Sequence, residues 1–144
     1  MVGIFVLLFK VLASTVVPAT TVDPVQETIQ SMTQITSHIL DTSAGRPAAG
    51  VKISLLRQLG DAWQLLGSAS TNDDGRVADF TGNDDVLAAG TYKLTFYLSD
   101  YYARQKQASF YPFVDVVFGI EGDGQHYHVP LLLNPFGYST YRGS

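Results

Sequence analysis

The chain is 144 residues long, 46% hydrophobic and 15% charged, which suits one globular domain and excludes a disordered or coiled-coil chain. A formal net charge of −4 and a sequence pI near 5.1, with no basic stripe, argue against a nucleic-acid partner. The lack of any cysteine excludes disulfides, thiolate nucleophiles and cysteine-bound zinc.

Residues 1–19 (MVGIFVLLFKVLASTVVPA) carry an apolar run that ends on Val17-Pro18-Ala19, a small-residue cleavage signal. They read as a signal peptide, although no basic residue precedes the run and Lys10 interrupts it. Cleavage would imply a periplasmic or exported protein; without it the protein would be cytoplasmic. The run is too short and too broken for a membrane span. Residues 20–33 read as a polar linker, and residues 34–144 as the domain.

Within that domain the pattern is strands broken by turns. ITSHIL (35–40) leads into the turn-rich DTSAGRPAAG (41–50). VKISLLRQL (51–59) alternates apolar and polar residues as a half-buried strand does, Gly60-Asp61 turns, and AWQLLGSAST (62–71) returns. Asn72-Asp73-Asp74-Gly75 is a strong turn signal, with Gly75 suited to positive φ and Arg76 directly after it. TYKLTFYLS (91–99) is a strand. SDYYARQKQA (99–108) has a Ser or Asp start, good helix formers and no Gly or Pro, and is expected to be a helix. FVDVVFGI (113–120) is a strand, and EGDG (121–124) turns into the final segment. Short strands at this spacing predict an all-β antiparallel sandwich.

The final segment, HYHVPLLLNPFGYSTYRGS (126–144), reads as a hairpin around a four-residue loop at Asn134–Gly137. Alternation then places His126, His128, Pro130, Ser139, Tyr141 and Gly143 on one face. Tyr127, Val129, Leu131, Leu133, Tyr138 and Thr140 take the other, apolar face. Pro130 cannot donate to a ladder and is expected at an edge or a bulge. His-x-His on one strand face also has metal-ligand spacing, but no third His lies nearby in sequence, so no metal is assigned. Taken singly, each Tyr, His or Arg is more often packing or solvated surface than site.

The joint pattern is more specific. The chain resembles the 5-hydroxyisourate hydrolases, the transthyretin-related enzymes of purine breakdown. Three stretches carry the resemblance: SHILDTSAGRPAAGV (37–51) with His38, TNDDGR (71–76) with Arg76, and the terminal segment closing on Tyr141-Arg142-Gly143-Ser144. The resemblance covers roughly residues 34–144. It implies a transthyretin-like sandwich of two four-stranded antiparallel sheets with one short helix. It further implies a homotetramer, a dimer of dimers with active sites where subunits meet. The implied reaction opens the six-membered ring of 5-hydroxyisourate to 2-oxo-4-hydroxy-4-carboxy-5-ureidoimidazoline, without metal or organic cofactor.

Carried onto this sequence, the resemblance implies His38, Arg76, His128 and Tyr141 as catalytic residues. Substrate contacts would come from His38, Arg76 and Tyr141 with Arg142, Ser144, His126 and Ser139. Opening a cyclic amide needs an activated water, stabilisation of charge on the carbonyl oxygen, and a proton for the leaving nitrogen. Imidazole titrates near operating pH, so His38 or His128 can take a proton from water; the expected division gives proton transfer to His128 and orientation of the water to His38. The guanidinium of Arg76 suits the oxygens of an oxidised purine. Two other classes compete with hydrolysis: a non-catalytic transthyretin-like carrier of a small ligand, and an exported adhesion module. A carrier channel should be more apolar than a surface with two histidines and an arginine.

Overall fold

The computed structural model describes residues 33–144; the leader and nearly all of the linker expected above lie outside the described residues. The elements run β1 (Ile35–Asp41), β2 (Arg46–Pro47), β3 (Lys52–Leu59), β4 (Ala62–Ser70), β5 (Arg76–Val77), β6 (Gly90–Tyr97), α1 (Ser99–Arg104), β7 (Phe113–Ile120), β8 (Tyr127–Asn134) and β9 (Gly137–Thr140). They form two sheets packed face to face. One has the order β2-β1-β8-β9, with β5 also pairing β1; the other has the order β4-β3-β6-β7. The expected sandwich with one short helix is present. Its sheets are not wholly antiparallel, because β1 and β8 pair in parallel.

The core follows from alternation. On β1 the side chains of Ile35, Ser37, Ile39 and Asp41 are buried, while Thr36, His38 and Leu40 are half-buried on the opposite face. Parallel pairing sets Thr36 against His128 and His38 against Pro130. On β8, Tyr127, Val129, Leu131 and Leu133 point into the same core, against Ile53, Leu55, Leu94 and Phe96 of the second sheet. The polar face of β1 and β8 is therefore a consequence of their core face. The buried Asp41 carboxylate is fully partnered, accepting bonds from Ser43 N and Oγ, Ala44 N and the Tyr101 hydroxyl. That network ties α1 to the end of β1.

Three sequence expectations need correction. The helix ends at Arg104, not Ala108, and its N-cap is Leu98 without any side-chain cap. Lys106 adopts φ +54, with Lys106 N–H bonded to Ala103 O and Gln107 N–H to Tyr102 O. This is the Schellman closure, usually made by glycine, so the sequence carried no stop signal. In the terminal hairpin Asn134 pairs with Gly137, leaving only Pro135 and Phe136 as the connection; the register Leu133–Tyr138 and Leu132–Ser139 is as expected.

Pro130 lies neither at an edge nor at a bulge, but in a strand flanked by β1 and β9. A strand residue sends its N and C=O to the same side, and the Pro130 carbonyl accepts from Thr140 Oγ1 on the β9 side. The missing N–H thus faces β9, where regular pairing stops at Thr140 and resumes only as a bridge between His128 and Gly143. The β1 ladder on the other side is untouched.

Candidate active site

The turn after β4 delivers Arg76. Asn72 Oδ1 accepts from Asp74 N at 3.0 Å and Arg76 N at 2.9 Å, and Gly75 N–H bonds Asn72 O at 2.9 Å. Gly75 sits at φ +72, and a Cβ there would lie 2.5 Å from Ile39 O. Only glycine lets this turn press against β1. The two-residue strand β5 then pairs His38 with Arg76 and Ser37 with Val77. Among the described residues the Arg76 guanidinium is in no ion pair.

His128 is held from three sides. Its Nδ1 lies 2.9 Å from Thr36 Oγ1, and its backbone carbonyl accepts from Gly143 N–H at 2.9 Å. Gly143 backs the ring so closely that a Cβ there would fall 2.4 Å from His128 Cδ2. The same Thr36 Oγ1 lies 2.9 Å from His126 Nε2, so one hydroxyl bridges two imidazoles. Thr36, Arg76, Val77, His126, His128 and Ser144 help line a cavity of about 270 Å³. Its ionisable side chains are one guanidinium and two imidazoles, with no carboxylate side chain. Among the described residues no cluster of His, Cys, Asp and Glu is arranged to hold a metal.

Burial lowers the pKa of His128, and the positive charge of Arg76, with His126 and His38 behind it, lowers it further. Burial and then Arg76 also lower His38, against a partial opposing effect of Asp74. Both rings are therefore neutral at pH 7 and able to accept a proton. A guanidinium beside two neutral imidazoles can bind an oxygen-rich planar ring, take a proton from water and stabilise an oxyanion.

The residues expected at the site divide into two groups. Arg76, His126, His128 and Ser144 share the cavity, with His38 paired beside Arg76. Tyr141 and Arg142 instead help line a second hollow of about 340 Å³ with Tyr127, Val116 and Val117, and His128 borders both. The hairpin register nevertheless continues past Pro130, since Gly143 bridges His128 as alternation predicts. The Arg142 guanidinium lies 5.2 Å over the Tyr127 ring and donates to Gln125 Oε1. Ser139 is exposed on β9 opposite Leu132, away from both hollows. Sequence reasoning missed Thr36; its signal was the strand period, two residues before His38 on the same face.

Residues 35–143 match the HIUase/Transthyretin family. The chain belongs to that family. A probable 5-hydroxyisourate hydrolase of Caenorhabditis elegans is 51% identical over 110 residues, covering 76% of this chain and 81% of that one. The solved 5-hydroxyisourate hydrolase of Klebsiella pneumoniae is 41% identical with a TM-score of 0.67, over 76% of this chain and 98% of that one. Sea bream transthyretin, solved with thyroxine, is 28% identical with a TM-score of 0.71, over 76% and 94%. Both branches of the HIUase/Transthyretin family thus share this backbone, and side chains must tell them apart.

Proposed function

We propose that this protein hydrolyses 5-hydroxyisourate, opening its six-membered ring in urate breakdown. The observation that carries the reading is the convergence of Arg76, His126 and His128 on one cavity, with His38 paired to Arg76. Water attacks the ring carbonyl as His128 takes its proton; Arg76 orients the substrate and stabilises the carbonyl oxygen as charge builds there. His38 orients the water. Ser144 contacts the substrate from the Arg76 side of His128, and Tyr141 and Arg142 from its far side. The same wall of cationic and imidazole groups ill suits a thyroxine-type carrier, which needs an apolar channel.

Four chains are proposed to assemble as a dimer of dimers, with the two hollows that border His128 joined into one site where subunits meet. Residues 1–19 are proposed to direct export, with the mass of the mature protein as the check. The test of activity is direct. Generating 5-hydroxyisourate with urate oxidase and adding this protein should accelerate the ultraviolet decay well beyond the spontaneous rate. Thyroxine-type binding without acceleration would replace the hydrolase with the carrier.

A further inference from the structure

The Thr36 hydroxyl is the least expected feature of the cavity, and its chemistry is constrained. A hydroxyl has one proton to donate and lone pairs to accept with. Thr36 Oγ1 lies 2.9 Å from both His128 Nδ1 and His126 Nε2, so it can donate to only one of them, and the other bond needs a ring N–H. Once the hydroxyl donates to one ring, the tautomers of the two histidines are coupled. For His128 to serve as a base through Nε2, its Nδ1 must carry the proton and donate it to Thr36. The Thr36 proton is then free to go to His126 Nε2, with the His126 proton on Nδ1. Among the described residues His128 Nε2 has no hydrogen-bond partner, as a reacting nitrogen requires.

We propose that Thr36 and His126 form a proton relay behind His128, carrying the charge of base catalysis from the half-buried ring to the exposed one. The inference rests on the hydrolase reading above and extends it. As the water oxygen bonds to the carbonyl carbon, the C=O π pair moves to oxygen beside Arg76. The water proton goes to His128 Nε2, the His128 Nδ1 proton goes to Thr36 Oγ1, and the original Thr36 proton goes to His126 Nε2. His128 is neutral again, now in its Nε2–H tautomer, and the imidazolium is His126.

That tautomer is the acid the next step needs. The C–N bond breaks with its electron pair going to nitrogen, the carbonyl reforms, and the leaving nitrogen takes the His128 Nε2 proton. The His126 Nε2 proton returns to Thr36, and the Thr36 proton returns to His128 Nδ1. No proton is gained or lost over the cycle. The arrangement has a physical reason in the groups that face His128, namely Arg76 on β5, His38 on β1 and His126 before β8. Each of these is cationic when protonated. A positive charge left on His128 would sit beside Arg76. On His126, which is exposed, water screens it.

The test compares Thr36→Val, which keeps the shape and loses the hydroxyl, with Thr36→Ser, which restores it. Thr36→Val is expected to lower kcat about 10²-fold with little change in KM, the usual worth of a proton-transfer path. Thr36→Ser is expected to recover most of that loss. His126→Gln, at an exposed position where folding is secure, is expected to lower kcat similarly, and the double variant Thr36→Val/His126→Gln no further, because one relay is broken once. A solvent-deuterium proton inventory should be curved in the native enzyme and linear in both single variants. Nitrogen NMR of the histidines should show Nδ1–H on both His126 and His128 at rest.

Unimpaired kcat in Thr36→Val or His126→Gln, with an active native protein, would overturn the relay alone. So would a Thr36→Ser variant as slow as Thr36→Val, because restoring the hydroxyl would then restore nothing. A native protein that does not accelerate substrate decay would instead overturn the hydrolase reading, and the relay's role with it.

Discussion

At the scale of single residues, the site depends on imidazoles kept neutral by their surroundings. Burial and then Arg76 lower His128, so its folded pKa lies below the ordinary 6.5. The base form therefore survives to lower pH than in a free histidine. kcat/KM should be flat near neutrality and fall on the acid side through a value below 6.5 that belongs to the histidine cluster jointly. Removing the guanidinium with Arg76→Ala should move that acid limb upward, since one cause of the lowering is gone, and should also weaken kcat/KM. A limb that stays put would mean Arg76 does not act on His128. Gly143 allows a second residue-scale test. Its Cα leaves no room for a methyl, which would stand 2.4 Å from His128 Cδ2. Gly143→Ala should therefore displace the ring and lower kcat by about 10²-fold, while the unfolding midpoint barely moves. An unchanged kcat would show that the ring position is not critical.

At the scale of elements, most of the frame was legible because period two is a direct consequence of burying one strand face. β1, β3, β4, β6, β7 and β8 lie where alternation puts them, and the Asn72–Gly75 turn delivers Arg76 to β1. The illegible parts have specific causes. The parallel pairing of β1 with β8 joins segments more than ninety residues apart in sequence, for example Thr36 with His128, and no local pattern encodes it. The same long-range pairing hid Thr36, which becomes a neighbour of both histidines only once β1 lies beside β8. The helix was drawn too long because its stop is a lysine in a left-handed conformation. That last point is testable. Lys106 at φ +54 is held where glycine is favoured. Lys106→Gly should stabilise the fold by about 1 kcal/mol in chemical denaturation, with the slope unchanged. Destabilisation would mean the Lys106 side chain contributes more than its backbone strain.

At the scale of the whole molecule, the sandwich is unfinished along one side. β7 and β9 each end their sheet, so both offer unpaired backbone groups among the described residues. Val117 on β7 is 56% exposed and Tyr141 beyond β9 is 58% exposed, and both line the apolar hollow that also borders His128. Long, flat, apolar edges invite pairing with another chain unless charge or proline protects them, and here neither Val117 nor Tyr141 supplies charge. Covering these edges with a second copy would remove apolar surface from water and enclose the hollow, joining Tyr141 and Arg142 to the site through His128. Light scattering should then give a particle near four times the 15.7 kDa chain mass, less any cleaved leader. Val117→Lys places on β7 the residue natural edges use against pairing, and should shift the particle to smaller size. Because the His128, Thr36 and Arg76 cluster lies within one chain, the folded smaller particle should keep its resting histidine tautomers. It should nevertheless lose kcat/KM, since the hollow that carries Tyr141 would stand open to water. A native protein that is monomeric and fully active would defeat the assembly argument, and would return Tyr141 and Arg142 to the role of surface residues.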